Sequence, residues 1–176
     1  MAQLNFIPFP TLATDRLILR QMEVEDENDL FVLRSDERVL KYIDIPKAHT
    51  VDDARKFIEK INTGIRHNEW IFWGIGLKTD SQLIGTICYW NISQQPFRGE
   101  IGYMLHPDFQ GKGIMQEALL KVIDYGFATL QFTSIEADLN PGNVPSIKLL
   151  EKTGFVYESL SNDMLIYSLK NPACAE

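Results

Sequence analysis

The feature that most limits what this chain can fold into is a change of period near residue 72. Before it, apolar residues recur at helical spacing. Val51, Ala54, Phe57, Ile58, Ile61 and Ile65 share one face, Thr50 stands ahead of them as a cap, and Asp52 and Asp53 occupy the first turn. That pattern predicts a helix from Val51 to about Arg66. After residue 72 the pattern is that of strands. Phe72 to Lys78 and Leu83 to Ile92 are rich in Ile, Trp, Tyr and Thr, and Thr79-Asp80-Ser81-Gln82 between them reads as a hairpin turn. A third strand is expected from Glu100 to about Leu105, then a long helix from about Gly113 to Leu130. A strand at Ser134–Leu139, a helix at Val144–Lys152, and strands at Phe155–Glu158 and Met164–Leu169 follow. Hairpins first and crossovers later call for a mixed α/β (α+β) architecture around one sheet.

The amino-terminal part adds a short strand at Arg16–Arg20 after a turn around Ala13–Asp15. A helix from Glu25 to Arg34 and a helical turn at Val39–Ile43 complete it. The 176 residues fit one domain, 1–176, burying roughly 70 % of the unfolded surface. Such a chain needs no disulfide or metal staple. Cys88 lies in an apolar run and reads as a buried thiol, while Cys174 lies in the tail. The formal charge of −7 argues against nucleic-acid binding, which relies on Lys and Arg against phosphates. No apolar run reaches the ~20 residues of a membrane span. Met1 to Pro10 lacks the basic-then-apolar pattern of a secretion signal, so the cytoplasm is the expected compartment.

The densest signal is His106-Pro107-Asp108-Phe109-Gln110-Gly111-Lys112-Gly113-Ile114-Met115. Pro107 ends the strand because it cannot donate to a ladder. Two glycines one residue apart let the backbone approach a ligand closely. The helix that follows leaves its first N–H groups free for an anion, and Lys112 adds a positive charge. A diphosphate suits such a nest, and a plain tight turn is the competing reading. A Walker A string is absent, and Gln116 stands where a dinucleotide fingerprint needs its third glycine. Met115, Ala118, Leu119, Val122, Ile123, Gly126 and Leu130 form one stripe on the helix, which reads as core.

Three segments in this order resemble the GCN5-related N-acetyltransferase (GNAT) superfamily. They are Gly102-Tyr103-Met104-Leu105-His106-Pro107, then Gln110-x-x-Gly113-x-Met115 with Glu117-Ala118-Leu119, then Asn143-x-x-Ser146-x-x-x-Leu150-Glu151-Lys152-x-Gly154-Phe155. The last two, with the opening Leu12-x-Thr14-x-Arg16-Leu17-x-Leu19-Arg20, are similar to the RimJ/RimL branch, which acetylates ribosomal-protein N-termini. The resemblance covers roughly residues 12 to 169. It implies a twisted, mostly antiparallel sheet of about six to seven strands with a splayed central pair, flanked by about four helices. It implies acetyl-CoA as cosubstrate, no metal, and an amine acceptor that is a protein N-terminus or a small amine, on a monomer or homodimer. Tyr103, Met104 and Leu105 would offer backbone groups to the pantetheine arm. Gln110, Gly111, Lys112, Gly113, Ile114 and Met115 would hold the pyrophosphate, and Asn143 and Ser146 would approach the thioester. Met115 departs from the small residue usual there, which places a side chain near the phosphates.

Direct attack of an amine on the thioester needs a deprotonated amine, a held oxyanion and a proton for the thiolate. Deprotonating a lysine at pH 7 costs roughly 4–5 kcal/mol, an α-amine only ~1–1.4 kcal/mol. Glu100 is the candidate base, sharing a strand face with Gly102, Met104 and His106 by alternation. The competing reading is a surface charge at a strand end. Ser146 matches a serine that protonates the thiolate in related enzymes, yet Asn143 and Pro145 also read as a helix start. A backbone N–H near Met104 or Leu105 would hold the oxyanion. His106, His49 and His67 are weaker candidates with no metal spacing. One or two of Trp70, Phe72, Trp73, Tyr89 and Trp90 would line the acceptor side. The alternative function is an acyl-CoA-holding domain without turnover.

Overall fold

The computed structural model describes residues 4–174. The parts of the domain and leader readings that fall on residues 1–3 and 175–176 lie outside the described residues. The strands are β1 (Leu12–Ala13), β2 (Leu17–Arg20), β3 (Ile71–Leu77), β4 (Asp80–Gln94), β5 (Phe97–Leu105), β6 (Ser134–Leu139), β7 (Val156–Ser161) and β8 (Met164–Lys170). The α-helices are α1 (Glu27–Ser35), α2 (Glu37–Leu40), α3 (Val51–Arg66), α4 (Ile114–Asp124) and α5 (Val144–Lys152). The sheet runs β1-β2-β3-β4-β5-β6-β8-β7. Every neighbouring pair is antiparallel except β5 with β6.

The sheet has eight strands, not six or seven, and five α-helices, not four. The extra strand is β1, whose Leu12 and Ala13 fold back over the Thr14–Arg16 turn onto Leu19 and Ile18. Two residues are too few to show alternation. The fifth helix is α2, the helical turn expected at Val39–Ile43, which starts earlier, at Glu37, because Asp36 caps it, its side chain accepting from the Arg38 N–H. The β3–β4 turn is tighter than the four residues expected, because Leu77 pairs with Asp80 and the spare residues are absorbed by a bulge beside Gly76.

Helix α3 follows its sequence signals. Thr50 Oγ1 accepts from the Asp53 N–H, and Asp53 Oδ2 accepts in return from the Thr50 N–H. Ala54, Ile58, Ile61 and Ile65 are buried. Helix α4 stops sooner than its apolar stripe suggests. From Tyr125 to Thr129 the chain takes a π-turn. The buried Tyr89 hydroxyl donates to the Val122 carbonyl at 2.9 Å, taking an acceptor that a continuing α-helix would use. Gly126 leaves that hydroxyl room, since a Cβ there would lie 2.5 Å from it.

The two sheet faces carry different helices. Phe72 of β3 packs edge-on against Phe57 of α3, while its neighbour Trp73 packs against Tyr125 at the end of α4. The decisive irregularity is at the centre. β5 and β6 pair only through Arg98, Gly99 and Glu100 against Ser134, Ile135 and Glu136. Beyond that, β5 runs on to Leu105 and β6 to Leu139 as a splayed pair.

Candidate active site

The turn after β5 has the backbone geometry of an anion nest. Gly111 and Gly113 both adopt left-handed backbone, at φ 71° and 73°. That region suits glycine and strains any residue with a Cβ. A Cβ on Gly111 would meet nothing within 4 Å, so the turn faces open space. The first backbone bond of α4 runs from the Glu117 N–H to the Gly113 carbonyl, and no side chain caps the helix. The N–H groups of Ile114, Met115 and Gln116 therefore precede the ladder and stay available to a ligand. The side chains of Ile114 and Met115 are buried. Met115 packs in the hydrophobic core, so the expectation of a side chain near the phosphates is corrected. Its backbone N–H is what the turn has to offer. Gln110 turns its amide back to donate to the Leu105 carbonyl at 3.0 Å, which ties the turn to its strand. Lys112 is exposed, with its ammonium 5.6 Å from the Phe109 ring centre.

A brace from the amino-terminal hairpin fixes this turn. Glu117, in the first turn of α4, accepts from Thr14 Oγ1 at 2.6 Å, the Arg16 backbone N–H at 2.9 Å and Arg16 Nε at 2.6 Å. Another nitrogen of the same guanidinium donates to the Lys112 carbonyl at 3.0 Å. Burial alone would raise the Glu117 carboxyl, but these donors outweigh it and hold the group below the usual carboxylate range.

The splay supplies the second part of the site. Tyr103, Met104 and Leu105 lie on the stretch of β5 that β6 has left. Across the gap, Asn143 caps α5 by accepting from the Ser146 N–H at 3.3 Å. Asn143 and Ser146 are both half-buried at the first turn of α5. The Tyr103 hydroxyl is shielded from solvent and forms no aligned hydrogen bond. Burial pushes the phenol up to about 12, and the nearby Ser146 hydroxyl offsets only part of that.

Glu100 stands where the strands part. It is half-buried in mid-sheet rather than exposed at a strand end, opposite Trp90 on β4 and Glu136 on β6. Burial raises its carboxyl, the Asn91 amide at 3.1 Å pulls the other way, and the charge of Asp138 raises it further. Arg98 is held by Glu136. Among the five aromatic candidates, Trp73 and Tyr89 are wholly buried in the core, and Trp70 donates its ring N–H to the Ile61 carbonyl. Trp90 is 46 % exposed and Phe72 partly buried on the Glu100 face, so those two can meet an acceptor. His106 caps the turn after β5 by accepting from the Asp108 N–H, and His49 and His67 are exposed. Among the described residues no group of three or more His, Cys, Asp or Glu is placed to hold a metal ion.

These features are a nest at a strand–helix turn, a splayed strand pair beside it, and a carboxylate where the splay begins. The Acetyltransferase (GNAT) domain family matches residues 16–156. The uncharacterized N-acetyltransferase p20 of Bacillus licheniformis is 42 % identical over 153 residues, covering 87 % of this chain and 86 % of p20. The chain belongs to the GNAT acetyltransferase family.

Solved GNAT structures share its fold. Mycobacterium smegmatis RimJ, in complex with CoA-disulfide, superposes with a TM-score of 0.81 at 21 % identity, covering 91 % of this chain and 84 % of RimJ. RimL, a ribosomal L7/L12 alpha-N-protein acetyltransferase in complex with coenzyme A, reaches 0.84 at 17 % identity, covering 93 % and 99 %. In this GNAT chain the fold gathers the predicted turn residues and Ser146 around one gap, with Glu100 at its closed end. Sequence reasoning missed Thr14 and Arg16 as supports of the turn. Their distance of about a hundred residues from Glu117 conceals the contact. It also missed Tyr42, which reaches the loop before α5, where a Cβ on Gly142 would lie 3.0 Å from its ring. The connection between α2 and α3 thus bridges toward the carboxyl end of β6.

Proposed function

We propose that this acetyltransferase carries the acetyl group of acetyl-CoA to a primary amine within one domain whose core spans about residues 12–169. The observation that carries this reading is the Gly111–Gly113 turn, with open space before it and unpaired helix N–H groups behind it. A diphosphate fits that cradle. When bound, acetyl-CoA supplies an activated acyl carbon with a thiolate leaving group. Gly111 to Met115 grip the pyrophosphate through backbone N–H groups, with Lys112 as mobile counter-charge, while Gln110, whose own N–H goes to the Pro107 carbonyl and whose amide goes to the Leu105 carbonyl, anchors the turn. The backbone of Tyr103 to Leu105 flanks the pantetheine arm, and a β5 N–H near Met104 or Leu105 holds the oxyanion. Glu100 accepts the amine's proton through water, its raised basicity suiting it to that role. Ser146 gives a proton to the departing sulfur, with Asn143 holding the start of α5 in place.

An α-amine acceptor is the reading that the RimJ and RimL likeness supports. It also asks least of the base, roughly 1–1.4 kcal/mol at pH 7 against 4–5 for a lysine side chain. The acidic Glu100, Glu136 and Asp138 face suits a cationic acceptor before deprotonation. A panel of peptides with free N-termini, lysine side chains and small amines, followed by release of free CoA thiol, tests this. Release stimulated by free N-termini is expected. Tight CoA binding with no release from any amine would instead identify a non-catalytic acyl-CoA-binding domain.

A further inference from the structure

Tyr103 presents the described residues' one buried side-chain oxygen or nitrogen without a hydrogen-bond partner. Buried polar groups in folded proteins are nearly always paired, and an orphan points to a partner the protein meets in use. The phenol's place suggests which partner. Tyr103 lies on the part of β5 that has separated from β6, between the anion turn at Gly111 and the carboxylate at Glu100. Alternation along β5 puts Glu100 and Tyr103 on opposite faces of the strand. Glu100 looks to the side bearing Trp90. Tyr103 looks to the side bearing α5, where the Ser146 hydroxyl lies close to the phenol. An amine attacking an acyl carbon approaches from one face while the leaving group departs on another. The two side chains divide those directions between them.

We propose that the Tyr103 hydroxyl donates a hydrogen bond to the sulfur of acyl-CoA, and stabilises the thiolate as the carbon–sulfur bond breaks. This rests on the reading of the turn and splay as a CoA site. In the step the nitrogen–carbon bond forms, and the carbon–sulfur bond breaks with its electron pair passing to sulfur. The proton lost by the amine leaves through Glu100 and water, and the sulfur takes its proton from Ser146, which recovers one from solvent. The phenol keeps its own proton throughout. A thiol titrates near 8.5, so a phenol held far above that donates a bond without surrendering the proton. Tyr103 is thus a fixed neutral donor, pre-aimed and sheltered from water, the arrangement in which a hydrogen bond to developing charge is most effective.

The test is Tyr103→Phe, which removes one oxygen and keeps the ring. The variant should lower kcat about tenfold with little change in KM for acetyl-CoA. It should not lower the melting temperature of the free protein, because it removes an unpaired buried group. Ultraviolet titration of bound CoA should show its thiol ionising at higher pH in the variant than in the wild type. Calorimetry supplies the control: the variant should bind CoA more weakly above the thiol pKa, yet bind desulfo-CoA as the wild type does. An unchanged thiol titration with unchanged kcat, or equal weakening toward desulfo-CoA, would overturn the proposal. If Tyr103→Phe fails to fold, the wild type still decides it. Bound CoA whose thiol ionises no more readily than free CoA refutes the donor role. Wild-type protein that binds neither CoA nor desulfo-CoA would instead refute the CoA reading itself.

Discussion

Glu100 holds a charge where the fold disfavours one. Its carboxyl is raised by burial and by the charge of Asp138, against the amide of Asn91. The native state therefore binds a proton more tightly than the unfolded chain does. Ionised Glu100 destabilises the fold at neutral pH, and the penalty disappears as pH falls below the ordinary value of 4.5. Glu100→Gln should melt higher than the wild type at pH 7, with the difference closing on acidification. Its activity should fall by about 10²-fold, the low end for a general base acting through water. The rising limb of kcat/KM, set above the usual glutamate range, should vanish with it. Ser146→Ala should reduce kcat more than it destabilises α5, because the cap is the Asn143 side chain meeting the Ser146 backbone, which the substitution keeps. At this scale the residue types were legible and their surroundings were not. The sequence indicated Glu100 through alternation, but its burial depends on β6, a neighbour 36 residues away.

At the scale of elements, the turn and the amino-terminal hairpin act as one unit. Glu117 gathers three donors from Thr14 and Arg16, while Arg16 also holds the Lys112 carbonyl. Glu117→Ala should cost roughly 1–3 kcal/mol in denaturant unfolding, the range for losing hydrogen bonds to a charged group. It should also weaken CoA binding by loosening the turn. The sign with pH is opposite to that of Glu100. The lowered Glu117 carboxyl contributes stability above its ordinary value of 4.5, and this is lost as pH falls through the lowered folded value. Glu117→Gln should therefore flatten the acid side of the stability curve. Elements with local signals were read to the residue: α3 with its capping box, α5 with its Asn cap, and β6. Those whose form depends on distant partners were not. β1 exists because β2 pairs with it, and the π-turn after α4 exists because Tyr89 takes the Val122 carbonyl.

For the molecule as a whole, the splay is the feature that joins fold to function. Order and hairpin spacing foretold one mixed sheet, and the family resemblance implied a splayed central pair that includes the strand of Met104 and Leu105, without naming β6 as the strand that parts from it. Burial of Met115 in the core followed from the helical stripe that it shares with Ala118, Leu119 and Val122, whereas its motif position alone put the side chain beside the phosphates. A ligand that binds only the folded state stabilises it by RT ln(1 + [L]/Kd), about 2.7 kcal/mol at a hundredfold excess over Kd. Saturating CoA should raise the melting temperature of the wild type, and the gain should shrink in Glu117→Ala. The central claim is that the Gly111–Gly113 turn holds the cofactor's diphosphate. Calorimetric titration of acetyl-CoA into the wild type and into Gly113→Asp tests it most directly. The new side chain would start 3.5 Å from the Arg16 guanidinium that braces the turn, on a backbone that strains any Cβ, so it should distort the cradle and weaken binding at least tenfold in a variant that remains folded. Equal affinity in a folded Gly113→Asp variant would contradict the account.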